Sequence, residues 1–173
     1  MPAEVRTLDG LYQEAAETYG PALERLARAY EADPEARRDL LQDIHVALWR
    51  SLAGFNGLCS LRTWVYRVAH NVAATHVMRQ RRAKSAMLVG LEEMENTPDP
   101  KAGAAEADQR QVLERLWKLI QRLKPLERQV MLSYLEGLDA AAIAEVTGIS
   151  AANVATKVHR IKRILAQQFQ EGK

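Results

Sequence analysis

The sequence predicts an all-α protein: two small helical domains joined by a flexible linker, the C-terminal one a helix-turn-helix. Three observations carry this. Apolar residues recur with helical period in nearly every segment, and no strand-like alternation lies between hairpin turns. Ala and Leu dominate while only 6% of the 173 residues are aromatic, a composition that favours helix. One stretch, "LEEMENTPDPKAGAAEAD", breaks the periodicity with two prolines, a glycine and acids, as a linker does. The boundaries read from these features are a first domain over 1–84, a linker over 85–104 and a second domain over 105–173.

The first helix is expected from about Leu8 to Ala32, with Pro21 after Gly20 kinking it or dividing it in two. Asp33 then caps a second helix with Pro34 as its first residue. Leu41, Ile44, Leu48 and Leu52 form its apolar stripe, while Asp39, Gln42, Asp43, Val46 and Arg50 fall on the opposite side. "GFNGLCS" (54–60) ends that helix with two glycines and an asparagine, and Ser60 caps a long third helix. That helix places Leu61, Val65, Val68, Val72 and His76 on one stripe and ends in "RQRRAK". After the linker, Val112, Leu116, Leu119 and Leu123 restore the period.

A helix opening at Pro125 is predicted to turn Leu126, Val130, Tyr134 and Leu135 inward and to stop at Gly137. A short helix from Ala140 to Val146 buries Ile143 and Ala144, and Thr147-Gly148-Ile149-Ser150 leads into a helix striped by Val154, Val158, Ile161 and Leu165. Ala144 permits close crossing, Gly148 can adopt positive φ, and Ser150 caps the last helix. Together they form a helix-turn-helix, whose second helix enters the major groove by its N-terminal end. Asn153, Thr156, Lys157 and Arg160 project from its outer side and can meet base edges or phosphate. Lys162 and Arg163 lie further along, suited to phosphate.

Charge supports two anion-binding surfaces. Net charge is only +2, so attraction to polyanions must be local. Arg62 to Lys84 holds six Arg or Lys and no acid, and no acid occurs between Glu145 and Glu171. Cys59 is the single cysteine, which excludes a disulfide framework within the chain and points to a reducing compartment. No apolar run approaches the roughly 20 residues of a membrane span, and the N-terminus lacks a signal-peptide apolar region, so a cytoplasmic protein without membrane insertion is expected. His45, His70, His76 and His159 have no ligand spacing. No nucleophile–base set or glycine-rich phosphate loop is visible either. No catalytic residue, metal or cofactor is therefore expected.

Along most of its length the sequence resembles bacterial RNA polymerase sigma factors of the extracytoplasmic-function (ECF) type, within the sigma-70 family. "LKPLERQVMLSYLEGLDAAAIAEVTGISAANVATKVHRIKRIL" is similar to their domain that reads the upstream (−35) promoter element. "DLLQDIHVALWRSL" resembles the helix that docks on the polymerase clamp, and "SLRTWVYRVAHNVAATHVMRQRR" the helix that melts and reads the downstream (−10) element. The resemblance implies a non-enzymatic, alternative sigma factor that binds core polymerase and promoter DNA. Asp39, Gln42, Asp43 and Val46 would meet the clamp of the largest subunit. Phe55, Asn56, Gly57, Leu58 and Cys59 would form the loop holding a flipped −10 base, with Asn71 walling its pocket. Arg62, Tyr66, Arg67, Arg79, Arg81 and Arg82 would contact −10 DNA, basic groups tracking phosphate and aromatics offering stacking surface. Asn153, Thr156, Lys157, Arg160, Lys162 and Arg163 would contact the −35 element. An anti-sigma protein is implied as a further partner.

Two residues depart from the family pattern: His45, where an aromatic is common, and Ala155, where a basic residue is usual. A stand-alone helix-turn-helix regulator is the alternative reading; it accounts for 147–165 but not for the clamp-like helix, the second basic helix or the linker.

Overall fold

The computed structural model describes residues 7–87 and 104–170. They form seven helices: α1 (Leu8–Tyr30), α2 (Pro34–Ser51), α3 (Leu61–Met87), α4 (Ala104–Arg122), α5 (Pro125–Leu135), α6 (Ala140–Thr147) and α7 (Ala151–Gln170). Most of the expected linker, 88–103, lies outside the described residues.

The ends of the helices follow their capping chemistry. The Asp33 carboxylate accepts from Ala36 N at 2.8 Å and Pro34 occupies the first turn of α2. Ser60 Oγ accepts from Thr63 N at 3.0 Å at the start of α3, and Asp139 from Ala142 N at 2.8 Å at the start of α6. Gly148 closes α6 at φ +76°, the left-handed conformation expected of it. Pro21 neither divides nor ends α1, which runs through it as one helix. The residue is exposed, so its ring faces solvent, and α1 keeps its buried row Ala15, Ala22, Leu23, Leu26 and Ala27 on either side of it.

α1, α2 and α3 pack on one another around Leu23, Leu26, Leu40, Ile44, Leu48, Val65 and Ala69. α5, α6 and α7 form the helix-turn-helix around Val130, Ile143, Val154 and Ile161. Leu40, fully buried, replaces Leu41 as the first core residue of α2; Leu41 is half-buried. Val112 (42% exposed), Tyr134 (39%) and Leu135 (50%) are not core residues, contrary to the sequence expectation. Met131, Leu132 and Ser133 are buried instead, because α5 is covered from more than one side and its buried surface is wider than a single stripe.

The two halves touch extensively. α4 lies on α1, and α3 packs against α5 and α6. His70 of α3, 1% exposed, sits at this junction, hydrogen-bonded through Nδ1 to Tyr30 Oη at 3.0 Å and through Nε2 to Ser133 Oγ at 3.3 Å. Arg128 of α5, 4% exposed, lies over the Tyr30 ring at 5.0 Å and donates to the carbonyls of Gln121 and Leu123 at the end of α4. Those carbonyls would otherwise be orphaned at a helix terminus.

Candidate polymerase and nucleic-acid interfaces

On α2, Asp39, Gln42, Asp43 and Val46 are all exposed and follow one another at helical spacing. The row continues into Trp49, 43% exposed, and Arg50. The Trp49 indole N–H donates to Asp9 at 3.1 Å, which fixes the ring against α1 while leaving much of its surface open. Trp49 was missed at the sequence level although it continues the same periodic row. The outward phase of the helix decides its exposure. His45 is turned the other way: half-buried, it hydrogen-bonds Tyr12 Oη through Nδ1 at 3.1 Å, with the rings edge-to-face. Burial lowers its pKa. The departure at this position therefore acts on α1–α2 packing.

The loop after α2 is built on a short 3-10 turn, Leu52–Gly54. Phe55 is half-buried, its ring 5.5 Å from that of Trp64 and edge-on to it, and the Trp64 indole N–H donates to Ser51 Oγ at 3.0 Å. Trp64 thus anchors the loop rather than offering a free stacking face. Asn56 Oδ1 accepts from Leu58 N at 3.2 Å, and Gly57 takes φ +74°, a conformation that glycine adopts without strain. Leu58 is consequently thrust out, 87% exposed, with Cys59 half-buried behind it.

Along α3, Arg67, Asn71 and Arg82 share one side by helical spacing, and Met78, 56% exposed, falls in the same row. Asn71, Arg79, Arg81 and Arg82 are exposed. Arg62 and Tyr66 lie elsewhere. Tyr66 is 2% exposed and packs against Tyr19 and His70, and burial raises its phenol pKa. Arg62 donates to the carbonyl of Glu136. Arg67 donates to the carbonyl of Glu145 through Nε at 3.2 Å and Nη2 at 3.0 Å. Three residues expected to face DNA thus face the second half of the chain here. His76, placed on the apolar stripe by the sequence, hydrogen-bonds buried Glu31 at 2.8 Å, which also accepts from Gln80.

In the helix-turn-helix, Ser150 Oγ accepts from Asn153 N at 3.3 Å and so starts α7. Asn153, Thr156, Arg160, Lys162 and Arg163 are exposed and Lys157 is half-buried. Arg160 pairs with Glu127 of α5, and the Lys162 ammonium lies 5.3 Å above the Tyr134 ring. Both side chains are thereby held against α5. Ala155 is exposed and lines a cleft of about 360 Å³ with Tyr134, Ile143 and Val158. A small residue there leaves the cleft open.

Residues 15–83 match the Sigma-70 region 2 family and residues 113–165 the Sigma-70 region 4 family. The RNA polymerase sigma factor YlaC of Bacillus subtilis is 30% identical over 146 residues, 80% of each chain. The chain belongs to the ECF sigma factors of the sigma-70 family. The sigma factor NccH of Alcaligenes xylosoxydans xylosoxydans is 25% identical over 93% of this sigma factor and 88% of that protein. The ECF sigma-E factor of Haemophilus influenzae is 26% identical, over 76% and 74%. Among solved structures, CnrH in complex with the cytosolic domain of CnrY superposes with a TM-score of 0.67 at 20% identity, over 94% of this chain and 89% of that one. The sigma factor RpoE of Bartonella quintana, in complex with the anti-sigma factor NepR, gives 0.70 at 18% identity, over 92% and 96%. The region 2 match covers the half that a stand-alone helix-turn-helix regulator would not require, so that alternative is not favoured. Among the described residues, no helix is long and apolar enough to cross a membrane.

Proposed function

We propose that this sigma factor engages core RNA polymerase through the outward row of α2, reads and opens the −10 element with loop 55–59 and α3, and reads the −35 element with the first turns of α7. The observation that carries the reading is the outward row Asp39, Gln42, Asp43, Val46 and Trp49 on the same chain as an exposed, well-capped α7. Carboxylates and an amide beside apolar surface suit a helical, basic partner surface, and desolvated aromatics at the centre of an interface carry much of its energy. Asn153 can pair with an adenine edge, and Lys157 and Arg160 with guanine or phosphate. Leu58, exposed at the tip of its loop, would contact a base displaced from the stack. The polymerase performs the chemistry; this chain supplies specificity, in the cytoplasm where transcription occurs.

An anti-sigma protein covering the α2 row, the basic helix or both halves is part of the proposal. Its support is that two structural relatives were solved in complexes with CnrY and with NepR.

The test is reconstitution with purified core polymerase, using promoters found by mapping transcript starts after overproduction. Expected are a stable complex, initiation at the mapped starts, and weaker core binding on replacing Asp39 and Asp43 together by Ala. Failure to bind core, or binding without initiation at any mapped start, would overturn the reading.

A further inference from the structure

A cleft of about 390 Å³ opens between α1, α2 and α4, away from the residues proposed to meet polymerase or DNA. Its volume lies within the roughly 300–1,000 Å³ typical of small-molecule sites. Arg25 and Arg28 of α1 and Arg37 and Arg38 of α2 line it, with Glu24 as the one acid. These four guanidinium groups are not equivalent. Arg25 donates through Nε and Nη2 to both oxygens of Glu136, at 2.6 and 2.8 Å, so its charge is matched. Arg37 donates through Nη2 to the Ala32 carbonyl at 2.9 Å, but its buried Nε has no hydrogen-bond partner. Arg28 and Arg38 are exposed, and neither side chain forms a hydrogen bond or ion pair with any described residue. Three cations without a carboxylate partner thus share a concave site with one acid. A cleft lined mainly by one sign of charge focuses its field and concentrates counter-ions.

The opposite wall is aromatic. Trp117 of α4 lines the cleft, its ring centre 5.9 Å from the Arg28 guanidinium, a cation–π distance. Gln121, one turn further along α4, donates to the Arg28 carbonyl at 3.0 Å and holds that helix to α1 beside the cleft. Guanidinium groups match phosphate oxygens in a two-bond fork. An indole beside them offers a nucleobase a stacking surface. Phosphate alone needs no tryptophan, and an apolar ligand needs no arginines. Their joint presence fits a molecule that carries both a planar ring and several phosphates.

We propose that this cleft binds a nucleoside triphosphate, with its phosphates among Arg28, Arg37 and Arg38 and its base along Trp117. The ligand touches α1, α2 and α4 together and therefore stabilises the folded chain by mass action. The site shares no residue with the proposed polymerase and DNA contacts, so its test stands apart from theirs.

Titration calorimetry on the full chain at physiological ionic strength uses ATP and GTP, with adenosine and inorganic tripolyphosphate as the two parts of the ligand. ATP and GTP are expected to bind, tripolyphosphate roughly tenfold more weakly, and adenosine more weakly still. Saturating ATP should also raise the unfolding temperature. Arg38→Ala is the deciding variant, because that side chain is exposed and holds no described residue in place. It should weaken ATP binding roughly tenfold. Trp117→Leu should weaken ATP binding to a similar degree and leave tripolyphosphate binding unchanged. Arg110→Ala, which removes the same charge from an exposed position on α4 outside the cleft, should change neither. Absence of ATP binding, or equal weakening by Arg38→Ala and Arg110→Ala, overturns the site. Equal affinity for ATP and tripolyphosphate overturns the assignment of the base to Trp117, and the nucleotide with it. Each of these outcomes leaves the sigma-factor reading intact, since core binding and initiation are measured separately.

Discussion

His70 shows how much a single side chain decides here. Burial with only two hydroxyls as partners lowers its pKa to about 3, against about 6.5 in an unfolded chain. Between those values the unfolded state binds more protons, so this contribution to stability is complete above about pH 6.5 and is lost as pH falls toward 3. The expected slope approaches about 1.4 kcal/mol per pH unit. Urea unfolding from pH 7 to 5 should show it in the wild type and show it much reduced in His70→Gln, with the residual including half-buried His45, whose shift has the same sign. Gly148 gives a second prediction. At φ +76°, with nothing within 4 Å of an added Cβ, an alanine suffers backbone strain alone, so Gly148→Ala should cost about 1 kcal/mol by thermal unfolding. The sequence revealed Gly148, because turn chemistry is local. It gave no hint of His70, whose partners lie 40 and 63 positions away.

At the scale of the element, each proposed interface is a helix face, and the faces were legible to different degrees. The α2 row followed directly from period, and only Trp49 had to be added. Trp49→Ala should weaken core binding roughly tenfold or more, measured by competition with the wild type, if the ring is a buried anchor in the complex. On α7 the outward positions also followed from period, and the fully buried Val154 and Ile161 fix the phase. Replacing Lys157 and Arg160 together by Ala should flatten the salt slope of −35 binding by about 1.8. An unchanged slope would place these residues off the DNA. The face of α3 was least legible, because the helix is covered by α1 and α2 in one half and by α5 and α6 in the other. A helix buried on several sides has no single stripe to read, which is why Tyr66 was placed outside and Ala69 and Ala73 were not named as core.

For the whole molecule, Arg128 ties three elements: it stacks on Tyr30 of α1, sits in the first turn of α5 and satisfies carbonyls at the end of α4. Burial lowers its pKa, although guanidinium remains charged. Arg128→Leu should leave those carbonyls unmatched and lower stability by about 2–4 kcal/mol. Hydrogen exchange read peptide by peptide should then show α4 and α5 opening before α1–α3. The sequence by itself determined the all-α class, the caps at Asp33, Ser60 and Ser150 and the family, since propensity, capping, turns and motif order are written in residues near one another. Only the tertiary structure decided that the halves meet, that Arg25 finds Glu136 across 111 positions, and that Arg62, Tyr66 and Arg67 face protein rather than solvent. Those outcomes depend on the docking of finished helices, and no local pattern encodes the partner a helix face will meet.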